Sequence, residues 1–373
     1  MKIGIDCRTA LARKTGDRTY TLTLLHGLAR LRLDHAVWEF HLLLSEPDDG
    51  QVLPHASCFK PVVLRAPNSR LWTMGAVPIY THRARLDLLH VQYLAPPVLS
   101  CPFVTTIHDV VWRAMPETFP PLHRTIMTRA MPRTARRAAR IICGSESARQ
   151  DIAKYLGVGV RQINVTPYSI EPRYQQTMTS AGVDAVRARY ELGDRPYVLS
   201  VGVLQPRKNL ARLSEAFTQL KAAHPDWPHR LVIAGKRGWE GKDSSLIPHP
   251  SSLTTGYVPD EDLPALYRGA QVFTYPSLYE GFGLPIVEAM ACGCPVLTSD
   301  ISSMPEVAGD AACLVDPFSV ESIRDGLERV LSDDGLRDNL RRRGAVRAAH
   351  FTPERQATAT LEVYRQAVSA RGH

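Results

Sequence analysis

Four stretches of the chain carry residues of the right type and spacing to do chemistry. Tyr275 to Glu288 reads Tyr-Pro-Ser-Leu-Tyr-Glu-Gly-Phe-Gly-Leu-Pro-Ile-Val-Glu. Gly281 and Gly283 let a backbone approach a ligand closely, and Pro285 suits the first turn of a helix whose unpaired N–H groups form an anion site. Glu280 stands before that turn and Glu288 follows on the helix; such carboxylates suit hydroxyls attached to a phosphate better than the phosphate itself. A sugar or ribose fits. Gly202-Val-Leu-Gln-Pro-Arg-Lys-Asn209 is the second stretch, where the Arg207 fork and the mobile Lys208 charge could hold the two phosphates of a diphosphate. Cations are disfavoured at a helix start, so their presence there argues for an anionic ligand. Asp6 to Tyr20, with Gly16 permitting a tight turn, and Thr106-Ile-His108-Asp109 complete the set; His108 could bind a hydroxyl or move a proton, or be a satisfied structural imidazole.

Other motifs compete with these. Gly-Phe-Gly-Leu-Pro-Ile approaches the dinucleotide fingerprint, with Asp300 after the next strand, but its third position is Ile286. Asp260-Glu-Asp262 could be a metal pair, yet its place at the opening of a helix is explained by capping. Cys292 and Cys294 supply at most two metal ligands, and the seven scattered cysteines suit buried reduced thiols. No metal site is expected.

These loops need a frame, and the sequence alternates strand and helix twice. Runs at Lys2–Ile5, Trp38–Leu44, Pro61–Leu64, Leu88–Val91, Phe103–Ile107, Ile141–Cys143 and Ile163–Thr166 read as strands, with helices from Thr19–Leu31 to Ser147–Tyr155 between several of them. A second series follows. It has strands at Tyr197–Val201, Leu231–Ala234, Leu253–Thr255, Val272–Thr274 and Pro295–Thr298, with helices at Leu210–Ala222, Glu261–Tyr267, Leu284–Ala291, Val320–Leu331 and Leu336–Ala349. The reading is α/β, two doubly wound parallel sheets, with ligands at the carboxyl ends of the strands. Residues 1–170 form one domain, completed by the helical segment 353–373; the polar stretch 171–195 reads as a linker, and 196–352 form the other domain.

The chain has 373 residues, 44% of the apolar set and 22% charged, which excludes disorder over most of its length. No apolar run is long enough to span a bilayer and the N-terminus has no secretory pattern, so a cytoplasmic protein is expected. The net charge of +8 is unevenly held: residues 1–170 carry 22 Lys plus Arg against 12 Asp plus Glu. At about 100° per residue, Arg129, Arg133, Arg136, Arg137 and Arg140 fall on one helical stripe, interrupted by Pro132. That stripe could be a solvated face, a contact for anionic lipid or an anionic acceptor, or a nucleic-acid surface.

Taken together, Val201 to Leu210, Leu231-Val-Ile-Ala-Gly235, Thr255-Gly-Tyr-Val-Pro259, Glu280 to Glu288 and Ser302-Ser-Met-Pro-Glu-Val-Ala-Gly309 resemble the family 4 glycosyltransferases, retaining enzymes of the GT-B fold, in which two Rossmann-like domains face a central cleft. The resemblance covers nearly the whole chain. It implies a nucleotide-sugar donor, a glycan or lipid-linked acceptor, no cofactor or metal, and no nucleic-acid partner. By position it makes Arg207 and Lys208 the diphosphate clamp, with Gly202 in the same loop and the backbone of Gly283 and Leu284 as the second phosphate contact. Glu280, beside Gly281 and Phe282, becomes the donor-sugar binder and Glu288 the ribose binder. Tyr257 and Val258 border the base, His108 touches the donor hexose, and the Gly16 loop lines the cleft. GDP-mannose is the expected donor ahead of UDP-hexoses, and a sugar-nucleotide epimerase is the rival enzyme. The chain departs from the family at Asp17-Arg18-Thr19, where a second glycine is common, and at Pro167-Tyr168-Ser169, where Pro-Asn-Gly is usual.

Overall fold

The computed structural model describes residues 1–12, 15–49, 52–236 and 252–369. The chain divides into two compact units, one of Met1–Ala114, Pro121–Glu171 and Phe351–His373, the other of Met115–Pro120 and Pro172–His350.

In the first unit the apolar runs become β1 (Lys2–Asp6), β2 (Glu39–Leu44), β3 (Phe59–Val63), β4 (Leu88–Gln92), β5 (Phe103–Thr106), β6 (Arg140–Cys143) and β7 (Ile163–Val165). They form one sheet in the order β3-β2-β1-β4-β5-β6-β7, and every pairing is parallel. Because helices cover both faces, the central strands are buried on both sides, as the four buried residues of β5 show. The edge strand β3 is different. It carries Lys60 and Pro61, and most of its residues are exposed or half-buried, which blunts an open edge. The chain runs outward from β1 to β3 and then returns to β4 on the other side of β1. The direction of winding therefore reverses between β1 and β4, the position at which open parallel sheets take ligands.

The helix Pro353–Ser369 closes this unit by lying against Gly16–Arg30. Gly27 makes the approach possible, since a Cβ there would sit 2.0 Å from the Pro353 carbonyl oxygen. Gln356 adds a buried polar link, its Oε1 accepting from Thr23 at 2.9 Å and Ser169 at 2.5 Å.

The second unit holds β8 (Tyr197–Val201), β9 (Arg230–Ala234), β10 (Ser252–Gly256), β11 (Val272–Tyr275), β12 (Val296–Ser299) and β13 (Ala312–Val315), ordered β10-β9-β8-β11-β12-β13 and again wholly parallel. Its core packs Phe217 and Leu213 of the helix Leu210–Ala223 with Leu327 and Val330 of Val320–Ser332 over Val198, Ile233 and Leu297. Winding reverses here between β8 and β11.

Three expectations are corrected. The stretch 171–195 is no linker: it contains the helix Ser180–Arg189, built into the second unit against Leu263–Gly269. Asp262 does not cap that second helix; its carboxylate accepts two bonds from Arg189 at 2.7 Å and one from the Tyr190 hydroxyl at 2.8 Å, an ion pair that outcompetes a cap. Arg140 leaves the basic stripe because the helix ends at Arg137, and Arg140 opens β6 with its Nε 3.5 Å from Gln366. The sequence reading holds no strand at β13, an edge strand with only two of its four residues buried. All seven cysteines are buried.

Candidate active site

The strand order brings the two richest loops of the second unit together. Arg207 and Lys208 follow β8, Glu280 follows β11, and β8 and β11 are neighbours at the point where winding reverses. After Val201 the chain passes Gly202 and a short helical turn, Pro206–Lys208; Asn209 then takes a left-handed φ of 59° and turns the chain into Leu210–Ala223. Asn209 is held there because its side-chain amide donates to the carbonyls of Pro276 and Pro317, at 3.0 and 2.6 Å. Leu278 N–H in turn donates to the Arg207 carbonyl at 2.8 Å, tying the two loops backbone to backbone.

Three groups converge on one oxygen, Glu280 Oε1. Lys208 Nζ lies 2.6 Å from it, Arg207 Nη1 2.7 Å, and the Tyr275 hydroxyl donates to it at 2.9 Å. Lys208 also donates to the Tyr275 hydroxyl, its ammonium 4.5 Å from the centre of that ring. Neither cation faces open water, the side chains of Arg207 and Lys208 being 20% and 10% exposed. Burial alone would raise the Glu280 pKa, but the two neighbouring cations hold it down at about 2. Burial, followed by the Glu280 charge, pushes the Tyr275 phenol well above its ordinary range. The cluster is thus two cations and one carboxylate, with a net positive charge in a dehydrated setting where charge acts strongly.

Glu280 is also fixed through its backbone. Its N–H donates to Ser302 Oγ at 3.1 Å, while Ser302 and Ser303 Oγ lie 2.7 and 2.9 Å from its carbonyl oxygen. Ser302 sits at a φ of 60°, bending the loop after β12 back toward Glu280. Gly283, at a φ of 100° that a side chain would strain, starts the helix Leu284–Ala291 with Pro285 in its first turn. Gly281 and Phe282 are buried in the approach to this helix, and Leu284 is half-buried. Glu288 is 4% exposed, and its Oε2 accepts from the Tyr267 hydroxyl at 3.0 Å. Past β10, Tyr257 is 52% exposed while Val258 is buried.

His108 lies in the first unit, just beyond β5. Its Nδ1 is 2.8 Å from the Tyr168 hydroxyl, its Nε2 2.7 Å from Gln92 Oε1 and 3.7 Å from Asp17 Oδ1. Burial lowers its pKa, an effect that Asp17 and Asp109 oppose. Gly16 differs from expectation: it is the exposed first residue of its helix, capped by Thr15 Oγ1, and a Cβ on it would meet nothing within 4 Å. Helical backbone accepts any residue there, so no tight turn depends on it. Tyr275, Ser302, Ser303, Gln92 and Tyr168 were not singled out as site residues. Tyr168 carried a signal, standing in place of the family's usual asparagine. Among the described residues, no three His, Cys, Asp or Glu side chains are grouped to hold a metal ion, and no helix is long and apolar enough to cross a membrane.

Two parallel Rossmann-like sheets with cationic and carboxylate loops at a switch point define a GT-B architecture. Comparison with known proteins agrees: residues 184–347 match the profile of Glycosyl transferases group 1 and residues 15–173 that of Glycosyltransferase Family 4. The chain is 35% identical to the O-antigen chain mannosyltransferase B of Escherichia coli over 70% of each chain. It is 31% identical to the Escherichia coli serotype-specific mannosyltransferase WbdA, over 61% of this chain but 28% of that longer one. Anabaena HepE in complex with UDP and glucose shares the fold, with a TM-score of 0.75 over 98% of this chain and 99% of the other at 16% identity. The chain belongs to the family 4 type of GT-B glycosyltransferases and is a hexosyltransferase.

Proposed function

We propose that this hexosyltransferase moves mannose from GDP-mannose to a polysaccharide or lipid-linked acceptor, with retention at the anomeric carbon and without a metal ion. One observation carries the reading: Arg207 and Lys208 are gathered on Glu280 at the switch point of the second sheet. Breaking the bond between the sugar C1 and the diphosphate oxygen leaves negative charge on the diphosphate and a cationic sugar, so the chemistry needs fixed positive charge at the leaving group. Arg207 and Lys208 supply it, joined by the backbone at Gly283 and Leu284. In that role Glu280 keeps the two cations in register and accepts from a sugar hydroxyl. Glu288 takes the ribose, Tyr257 and Val258 border the base, and His108 meets a hydroxyl of the hexose. The acceptor oxygen attacks C1 on the face the diphosphate leaves, and its proton passes to the departing diphosphate.

The mannose reading is supported by relatives that are themselves mannosyltransferases. The basic helix supports a peripheral place on an anionic inner leaflet: Arg129, Arg133, Arg136 and Arg137 are exposed, and Leu122 and Ile126 on the same helix are 75% and 40% exposed. Arg137 also donates to the Pro96 carbonyl at 3.3 Å, so it contributes least.

The test is a thermal-shift screen with GDP, UDP, ADP and dTDP, followed by transfer assays with the matching sugars in EDTA. Stabilisation by GDP and EDTA-resistant mannosyl transfer are expected. Selective stabilisation by another diphosphate would replace the donor, and loss of transfer in EDTA that returns with a divalent ion would end the metal-free reading.

A further inference from the structure

The helix Asp334–Ala348 carries two unlike stripes. Leu340, Gly344 and Ala348 are buried, and Gly344 lets the helix approach Leu284–Ala291 so closely that a Cβ on it would lie 3.2 Å from Met290 Cγ. Arg342, Arg343, Val346, Arg347 and His350, three or four residues apart, line a groove of about 540 Å³ together with Asp310. That volume suits a small organic ligand. The charge in the groove is one-sided, three guanidinium groups against one carboxylate, and no acidic residue lies between Asn339 and Phe351. Residues 172–350 as a whole carry 20 Lys plus Arg against 22 Asp plus Glu, so this concentration of positive charge is local.

Folding accounts for only part of this charge. Arg347 stands in the last turn of its helix, where the dipole favours a cation, and its Nε and Nη2 donate to the carbonyls of Val307 and Glu306 at 2.9 and 2.5 Å. Those carbonyls belong to the end of the five-residue helix Met304–Ala308, which has no later turn to satisfy them. Arg342 and Arg343 lie a turn further back, beyond the reach of either explanation. Arg343 meets Asp310 Oδ2 at 3.3 Å, but the two side chains are 49% and 80% exposed, and such a pair contributes little in water. Arg342 has no hydrogen-bond or ion-pair partner among the described residues. Arg343 and Arg347, four residues apart, repel each other, and an anion held between them relieves that repulsion.

We propose that this groove binds an organic phosphate, with Arg342 and Arg343 gripping the phosphate group beside the anchored Arg347, His350 bordering it, and Val346 meeting the carbon skeleton. Guanidinium forks match phosphate oxygens in pairs. Three arginines and Asp310 leave a net charge of +2 in the groove, which suits a phosphomonoester carrying about −1.5 to −2 better than a carboxylate of single charge. Val346, 66% exposed among these charges, supplies the apolar contact that an inorganic ion would not need. The site shares no residue with the cluster of Arg207, Lys208 and Glu280, and it stands whatever nucleotide sugar that cluster takes.

The test is calorimetric titration of glycerol 3-phosphate into the full chain at low salt. The Arg342→Gln, Arg343→Gln double variant should bind it at least roughly tenfold more weakly, with its thermal transition in place because both side chains are exposed. The Arg207→Gln, Lys208→Gln double variant should keep wild-type affinity for it. Vesicles of phosphatidylcholine with and without phosphatidic acid present the same phosphate on a lipid and separate the two sources. Equal sedimentation of wild type and the Arg342→Gln, Arg343→Gln variant, beside its lost affinity for glycerol 3-phosphate, supports a soluble ligand; weaker sedimentation of that variant supports the site and makes its phosphate a lipid headgroup. Undiminished binding by that variant on both arms overturns the proposal. So does a loss of glycerol 3-phosphate binding confined to the Arg207→Gln, Lys208→Gln variant, and displacement by an equal concentration of acetate overturns the phosphate class.

Discussion

Glu280→Gln isolates the electrostatics of the candidate site. The carboxylate pKa falls from 4.5 to about 2 because Arg207 and Lys208 face it after burial has already been overcome. A depression of that size corresponds to about 3 kcal/mol of stability at neutral pH, at ~1.4 kcal/mol per unit. Since the folded-state pKa is the lower one, this stability is fully present above the unfolded value of 4.5 and is lost as pH falls toward 2. Gln keeps the shape and one acceptor but leaves two buried cations without a counter-charge. The expected result is a loss of about 3 kcal/mol at pH 7, a lowering of Tm by roughly 6–12 °C for a unit of this size. The gap between variant and wild type should shrink to roughly half near pH 3. Calorimetry of both proteins across pH 3–7 measures this directly. A variant whose Tm matches wild type at pH 7, or a gap that stays constant down to pH 3, would refute the claim that Glu280 is held ionised by these cations.

Arg207→Ala and Lys208→Ala should each lower turnover about 100-fold or more, as removal of one preorganised charge does elsewhere, and near wild-type steady-state rates would remove the clamp. Gly283→Ala forces a side chain into a φ of 100° and should cost about 1–3 kcal/mol in urea unfolding; an unchanged midpoint would show the helix start tolerates it. Gly27→Val should loosen the helix Pro353–Ser369, because a Cβ overlaps the Pro353 carbonyl, and faster hydrogen exchange across that helix is the readout. Replacing Arg129, Arg133 and Arg136 with Glu should abolish sedimentation with vesicles containing anionic lipid at low salt while leaving the thermal transition in place. Equal sedimentation of the variant would return those arginines to a solvated face.

Much of this was legible in the sequence because parallel sheets write long apolar runs between glycine-rich loops. β4, β5, β8, β11 and β12 stand out as such runs, and their order by itself brings the Arg207 loop against the Glu280 loop. Arg207, Lys208, Glu280 and Gly283 were readable from residue type alone. What could not be read depends on contacts far apart in sequence. Tyr275 looks like one more strand residue until its hydroxyl meets Lys208 and Glu280. Ser302 and Ser303 look like a polar turn until they close on the Glu280 carbonyl. Asp262 matched a capping pattern, yet two donors from Arg189 and Tyr190 claimed its carboxylate first. Arg140 fitted the helical stripe only because periodicity carries no signal for where a helix stops.

The central claim is that Arg207 and Lys208 hold a nucleoside diphosphate. Titration calorimetry of GDP and of guanosine, against wild type and the Arg207→Gln, Lys208→Gln double variant, tests it most directly. Wild type should bind GDP far more tightly than guanosine, and the double variant should lose that preference by about 100-fold while still binding guanosine. Undiminished GDP binding by a folded double variant would contradict the account.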